Sequence, residues 1–302
     1  MRLVRLALCS VNTTVGAVRA NLEKIVARAA EAAADGATVA AFPEQVVAGY
    51  APEDLVQWRA FVSAQWTALQ AFAERTRELP TVFVLGVTVA RGPSLYNAAA
   101  VVHRGAVLGL VPKEKLPTYN VFYEARTLAR GAAGERDDVA GVPFGDLVFD
   151  FDFGTLAVEV CEDIWSPDGP MRRRAYAGAE LVVNVSASPY RLGVQQTRRE
   201  MIATRAADAQ ATVAYVNLVG ANDGLIFDGG AFVSQNGRLA LEAPRFQEGV
   251  FAVNVDLDRT LRLRTENSTW RFDREAFLAS APEASRIAAR EPTTRSGLMY
   301  PA

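Results

Sequence analysis

Three residues with chemical potential stand where apolar runs break into loops. Cys161 closes the run "LAVEVC" and is followed at once by two carboxylates, Glu162 and Asp163. Glu44 follows Pro43 after the small, branched run "ATVAAF", and Lys113 follows "LGLVP". In an α/β sheet, side chains just past the carboxyl ends of strands gather at one rim, where sites form. A carboxylate, an ammonium and a thiol meeting there have a coherent task in nucleophilic catalysis. Glu44 takes the thiol proton as general base. Lys113 favours the thiolate and, with a backbone N–H just after Cys161, stabilises a tetrahedral oxyanion. Activation matters because a free thiol with a pKa near ~8.5 is only slightly ionised at neutral pH. Each residue also has a plain reading. A cysteine ending a core strand packs, a glutamate in a turn caps or is solvated, and a lysine beside proline lies on the surface. Pattern alone leaves both readings open; convergence in space separates them.

The rest of the inventory narrows the chemistry. The single histidine, His103, stands in "AAAVVHRG" before a turn and reads as structural, so a Ser-His or Cys-His mechanism has no other base to use. Two cysteines, Cys9 and Cys161, make no disulfide framework and form no C-x-x-C pair for zinc. Neither G-x-G-x-x-G nor a P-loop occurs. Only Lys24, Lys113 and Lys115 are lysines among 32 basic residues, a bias toward arginine that fits genome composition and makes each retained lysine worth inspection. With a net charge of −2 and a pI near 5.7, no global positive field draws the chain to nucleic acid or acidic lipid. The opening "MRLVRLALCSVN" is too short in its apolar run for a signal peptide and reads as a core strand with Cys9 buried. No run approaches the roughly 20 apolar residues that span a bilayer. A cytoplasmic protein with no membrane partner is expected.

The elements that must position these residues alternate. Residues 15–34 carry Val18, Leu22, Ile25 and Ala29 at helical spacing before Asp35-Gly36. Residues 54–76 place Leu55, Trp58, Val62, Leu69 and Phe72 near one helical face. "TVFVLGVTV" reads as a strand, and hairpins are expected at Arg104-Gly105, Phe153-Gly154 and Asn236-Gly237. Helical segments at 169–179 and 194–210 flank the strand "LVVNVSASP", and "ATVAYVNLVG" is a further strand. Strand, helix and hairpin units without a Pro/Ser-rich linker predict one α/β domain over 1–258, with two mixed sheets and helices outside. From 259 to 302 the chain is Arg-rich, less periodic, and ends "EPTTRSGLMYPA", which reads as an arm or linker-like extension.

Taken together and in order, "FPEQVVAGYAPEDL", "KEKLPTYNVFYEAR", "VEVCEDIW", "NVSASPY" and "NLVGANDGLIFDGGAFV" resemble the carbon–nitrogen hydrolase (nitrilase) superfamily. Within it they are most similar to the glutaminase domain of glutamine-dependent NAD synthetases, and the likeness covers residues 3–255. The resemblance implies a four-layer α-β-β-α sandwich whose subunits pair back to back, hence a homodimer or higher homo-oligomer. It implies a Glu–Lys–Cys triad on Glu44, Lys113 and Cys161. Lys113 is favoured over Lys115 because the family's lysine lies three residues before the leucine of K-x-x-L-P, here Leu116. Glu124 matches a second glutamate that orients lysine and substrate. Tyr119, Glu162, Trp165 and Ser188 match positions lining a glutamine pocket, with Glu162 facing an ammonium group and Asp163 structural. The implied reaction is attack of Cys161 on a carboxamide, loss of ammonia, and hydrolysis of the thioester by water that Glu44 activates. No metal or organic cofactor is implied.

Two departures shape the functional expectation. Where relatives often carry Lys or Arg after "SASPY", this chain has Val194, so Arg191 or Arg198 must meet a substrate carboxylate, or the substrate lacks one. The S-G-G-x-D-S loop of an ATP-using synthetase is absent, although "TTRSGLMYPA" resembles the segment joining the two domains in fused relatives. The leading expectation is a glutaminase that passes ammonia to a separate NAD synthetase. The alternatives are a stand-alone amidase for another small amide or N-carbamoyl compound, and a non-catalytic scaffold subunit.

Overall fold

The alternation in "LVRLALCS" turns Leu6 and Leu8 to one face and Ala7 and Cys9 to the other, and all four are buried. A strand covered on both faces reads as an almost unbroken apolar run, the signature of a sheet between two layers. The computed structural model describes residues 1–289. Its first half contains β1 (Leu3–Ser10), α1 (Val18–Ala34), β2 (Val39–Ala41), α2 (Arg59–Arg75), β3 (Val82–Arg91), β4 (Ser94–His103), β5 (Ala106–Pro112), β6 (Arg136–Val139) and β7 (Val142–Gly145). Next come β8 (Leu147–Phe151), β9 (Gly154–Val160), α3 (Pro170–Tyr176), β10 (Leu181–Ser186), α4 (Val194–Asp208) and β11 (Thr212–Asn217). The chain continues through β12 (Val219–Asn222), β13 (Leu225–Asp228), β14 (Phe232–Gln235), β15 (Arg238–Glu242) and β16 (Gly249–Asp256). It ends in α5 (Leu257–Glu266), α6 (Ser268–Leu278) and β17 (Ser285–Ala288).

Among the described residues, one sheet runs β16-β1-β2-β3-β4-β5-β7-β6 and the other β15-β14-β11-β10-β9-β8-β17, with β12 and β13 forming a separate ribbon. Leu6, Leu8, Val84 and Val101 of the first sheet pack against Val158, Val160, Val183 and Val216 of the second. Leu22 and Ile25 of α1 and Leu69 and Phe72 of α2 cover the outer face of the first sheet. Met171 and Ala175 of α3 and Ile202 and Ala206 of α4 cover the outer face of the second. The result is the four-layer α-β-β-α sandwich expected of the nitrilase type.

Strand direction brings the chemistry to one rim. β2 is parallel to β3, and β5 is antiparallel to β4, which is itself antiparallel to β3. β2 and β5 therefore run the same way, and Glu44 and Lys113 follow their carboxyl ends. In the facing sheet β9, β10 and β11 are parallel, and Cys161 follows β9. The loop carrying Glu44 crosses β3 at Gly86, where an added Cβ would lie 2.2 Å from the Gln45 nitrogen and 2.5 Å from the Glu44 Cα. Only a residue without a Cβ lets that backbone approach so closely.

Several local expectations shift. The helix expected over 54–76 is split: residues 53–57 form a 3-10 turn, and Trp58 is extended with φ −84° and ψ 111° before α2 begins. Val62, Leu69 and Phe72 face the core, but Trp58 is 70% exposed and Leu55 38%. The break takes both off the apolar stripe. The β8–β9 turn falls on residues 152–153, and Gly154, with φ 135°, already begins β9. Arg104-Gly105 and Asn236-Gly237 both have positive φ, as two-residue hairpin turns require. The expected arm from 259 onward holds all but the first two residues of α5, then α6 and β17, an edge strand parallel to β8. The segment "EPTTRSGLMYPA" lies outside the described residues.

Candidate active site

Lys113 is fully buried, and its Nζ donates to Glu44 Oε1 at 2.7 Å and to Glu124 Oε1 at 2.8 Å. The same Glu124 oxygen accepts the Tyr50 hydroxyl at 3.0 Å. Glu44 is held from both sides, by Asn97 Nδ2 on Oε1 at 2.7 Å and by the Ala187 backbone N–H on Oε2 at 2.9 Å. Lys115, two residues on, reaches none of these groups and contributes its backbone N–H to Asp163 Oδ1 at 2.8 Å. One ammonium thus serves two buried carboxylates. Burial opposes its charge, yet Glu124 and Glu44 together hold the Lys113 pKa well above its ordinary value. Burial pushes the Glu124 carboxyl up to about 7, with Lys113 opposing the rise and Glu44 reinforcing it.

Cys161 opens a 3-10 turn directly after β9, with φ +44° and 4% exposure. A non-glycine residue in the left-handed region costs of order 1–3 kcal/mol and persists only where its surroundings fix it. Asp163 does that fixing. Its Oδ2 accepts the Val160 N–H at 3.0 Å, and its Oδ1 accepts the N–H groups of Glu114 and Lys115 at 3.0 and 2.8 Å. One carboxylate therefore ties the cysteine turn to the loop that carries Lys113. Asn184 Nδ2 adds a bond to the Cys161 carbonyl at 3.3 Å.

The sulfur's ionisation differs from the sequence expectation. Burial raises the Cys161 pKa, Glu44 raises it further, and Glu124 adds to both; Lys113 and the Ala187 amide act against them without prevailing. The lysine's charge is already divided between two carboxylates, so the surroundings favour the thiol over the thiolate, and Glu44 is the neighbouring carboxylate that can take its proton.

Cys161 opens on a cavity of about 540 Å³ whose walls include Tyr119, Glu162, Trp165, Ser188 and Arg191. The Tyr119 hydroxyl donates to Glu162 Oε1 at 2.7 Å. Burial raises the pKa of Glu162, although Tyr119 and Lys113 both favour its charge. Val194 also lines this wall. Arg198 lies one helical turn beyond it, fully buried behind the pocket, bonded to Asp228 at 2.7 Å and to the Ser188 carbonyl and hydroxyl at 2.8 and 3.1 Å. Of the two arginines weighed for a substrate carboxylate, Arg191 is exposed on the pocket rim and Arg198 is committed to shaping Ser188. His103 is buried away from the pocket lining, with Nδ1 at 3.3 Å from the Thr81 carbonyl oxygen. Among the described residues, no group of three His, Cys, Asp or Glu could hold a metal ion, and no helix is long and apolar enough to cross a membrane.

Sequence reasoning missed Tyr50, Asn97 and the Ala187 amide. Asn97 had a readable signal: it is the one amide in the apolar strand "LYNAAAVV". Tyr50 and Ala187 enter only through tertiary contact.

Glu159, two residues before Cys161, is a further buried carboxylate. Burial pushes its pKa from 4.5 to about 8, with Asp163 reinforcing the rise, and its Oε2 has no hydrogen-bond partner. Because the folded pKa is raised, this group's stabilisation is complete below about 4.5 and lost as pH rises through about 8. Glu159→Gln removes that loss. Thermal melts should show a Tm gain of roughly 4 °C at alkaline pH and little change at acidic pH. An equal shift at both pH values would mean that the carboxylate stays charged in the fold.

The family description Carbon-nitrogen hydrolase matches residues 5–265. Over 270 residues the chain is 37% identical to the glutamine-dependent NAD(+) synthetase of Aquifex aeolicus, covering 89% of this chain and 45% of that protein. The structure of glutamine-dependent NAD+ synthetase from Acinetobacter baumannii aligns with a TM-score of 0.75 at 31% identity, covering 86% of this chain and 47% of that one. An amidase from Nesterenkonia sp. aligns with a TM-score of 0.70 over 91% of this chain and 96% of its own, and at 24% identity this likeness bears on the fold alone. The chain spans less than half the length of the two synthetases.

Proposed function

The chain belongs to the carbon–nitrogen hydrolase family, and from that premise we propose that it hydrolyses the side-chain amide of glutamine, releasing glutamate and ammonia for a separate ammonia-dependent NAD synthetase. The supporting observation is one buried ammonium bridging two carboxylates, Glu44 and Glu124, close to a cysteine that lines a cavity. In this reading Glu44 accepts the thiol proton as the Cys161 sulfur attacks the carboxamide carbon. Lys113 and the N–H of Glu162 stabilise the resulting oxyanion. Collapse of the tetrahedral intermediate expels ammonia, which takes the proton back from Glu44. Water, deprotonated by the same carboxylate, then attacks the thioester carbonyl, and the sulfur leaves with that proton. Glu124 orients Lys113. Glu162, steadied by Tyr119, receives the substrate ammonium, while Trp165 and Ser188 wall the pocket.

The apolar Val194 on the pocket wall favours a second reading, an amidase for a small amide or N-carbamoyl compound without an α-carboxylate. Ammonia release from a panel of such amides and glutamine separates the two. If glutamine is the substrate, Arg191→Ala should raise its KM by about tenfold, the worth of one partly solvated charge-assisted bond. It should leave carboxylate-free amides unaffected. Turnover of glutamine should also rise when an ammonia-dependent NAD synthetase is added; equal rates with and without it would remove the coupling.

A further inference from the structure

A second cleft, of about 470 Å³, lies between the C-terminal helices and the edge of the second sheet, and shares no lining residue with the pocket at Cys161. Five guanidinium groups line it, those of Arg2, Arg264, Arg271, Arg274 and Arg286, together with the indole of Trp270. Two are already neutralised. Arg2 bonds both oxygens of Glu180, at 2.5 and 3.0 Å, and Arg286 holds Asp150 at 2.7 Å. The others are not. Arg264 is 7% exposed, lies over the Trp270 ring at 4.6 Å, and bonds only carbonyl oxygens, those of Ala179 at 2.6 Å and Gln210 at 2.9 Å among them. Arg274 donates Nε to the Tyr176 carbonyl at 2.7 Å. Among the described residues neither has a carboxylate partner, and the Arg271 side chain has no hydrogen bond or ion pair. The only carboxylates in the lining are Glu180, occupied by Arg2, and the exposed Glu275.

A buried guanidinium without an anion is costly, and a second cation close by adds repulsion. Burial lowers the Arg264 pKa, Glu180 opposes that in part, and Arg274 adds to the lowering. Trp270, 8% exposed, walls the cleft. Around this cavity the Arg271 side chain and the terminal nitrogens of Arg274, beside the buried Arg264, leave guanidinium donors that lack an acceptor-rich anion of high charge. A single carboxylate supplies one charge and two oxygens. A phosphate supplies up to two charges and several oxygens arrayed in three dimensions, which planar guanidinium forks meet well. We propose that this cleft binds a phosphate group, either as free phosphate or pyrophosphate or as part of a small phosphate ester.

The test uses the full chain at a fixed ionic strength of about 0.15 M, where non-specific attraction is screened beyond about 8 Å. Calorimetric titration with inorganic phosphate, pyrophosphate and AMP should give saturable binding by at least one of them. Tightest binding of AMP identifies an ester as the preferred form, and tightest binding of the inorganic ions a free anion. The Trp270 indole N–H resonance, assigned by its loss in Trp270→Phe, should move as the site fills. Arg271→Gln combined with Arg274→Gln should weaken binding at least about tenfold while amide turnover stays unchanged. Both residues lie on the cleft's outer helix and neither forms an ion pair that the change would break. The proposal is overturned if none of the three probes moves the Trp270 resonance, or if the double variant binds as tightly as the wild type. It is equally overturned if the wild type binds none and the variant sediments as a smaller assembly, since the arginines then serve a contact between copies.

Discussion

Cys161→Ala should lower ammonia release from the best amide substrate by at least about 10⁴-fold, the scale on which removing a covalent nucleophile acts. The fold should survive. The side chain is small and almost fully buried, alanine replaces a single sulfur atom, and the left-handed φ of +44° is as accessible to alanine as to cysteine. The bonds that hold the turn, from Asp163 and Asn184, do not involve the sulfur. The circular dichroism spectrum should therefore match the wild type while activity disappears. A diazo-ketone analogue of glutamine should label the wild type at one position and leave the variant untouched. Cys9 is the internal control: it is fully buried in β1, facing the helical layer, and burial pushes its thiol pKa well up. Turnover that persists in the variant would falsify the thioester route, whereas a folded wild type that neither takes the label nor releases ammonia would leave the scaffold reading in its place.

That expectation rests on residues the sequence made visible and on others it hid. Glu44, Lys113 and Cys161 were legible because each breaks an apolar run at a strand end, and strand ends on one rim follow from the α/β alternation. The outer helices were legible for the same reason of period, as Leu22, Ile25, Leu69 and Phe72 show. Trp58 misled because a large aromatic at helical spacing looks like core; the extended backbone at that residue could not be seen without Pro52 and the 3-10 turn it starts. Short strands such as β6 and β12 carry too few residues for a period. The helices α5 and α6 are polar on most faces, because they bury few side chains beyond Leu257, Thr260, Arg264 and Trp270. Most telling is the thiol. Residue types suggested a lysine that promotes a thiolate, but the balance of charge depends on how many carboxylates share that lysine. Sequence spacing between Lys113 and Glu124 does not reveal a 2.8 Å bond.

Lys113→Met is the substitution that separates the two duties of this cluster. In the wild type Glu44 and Glu124 share one ammonium in a site closed to water. Removing the cation leaves two buried carboxyl groups around a thioether, and the loss of a buried pair's partner costs about 3–5 kcal/mol. The cost should fall toward acidic pH. Burial pushes the Glu124 carboxyl up to about 7 against the opposing charge of Lys113, and without Lys113 it is protonated more readily, so the gap to the wild type closes as pH drops. Lys113→Met combined with Glu124→Gln should recover much of the lost stability, because one of the two competing charges is gone. Turnover should not return. Without the ammonium the oxyanion loses its charged partner, a defect of at least about 10³-fold that no adjustment of Glu124 repairs. Urea unfolding of the wild type, both single variants and the pair, each at two pH values alongside ammonia release, reads out both quantities. Recovery of stability without recovery of rate assigns Lys113 to the chemistry itself. Recovery of both would make it a structural counter-ion and pass the oxyanion to backbone N–H groups alone.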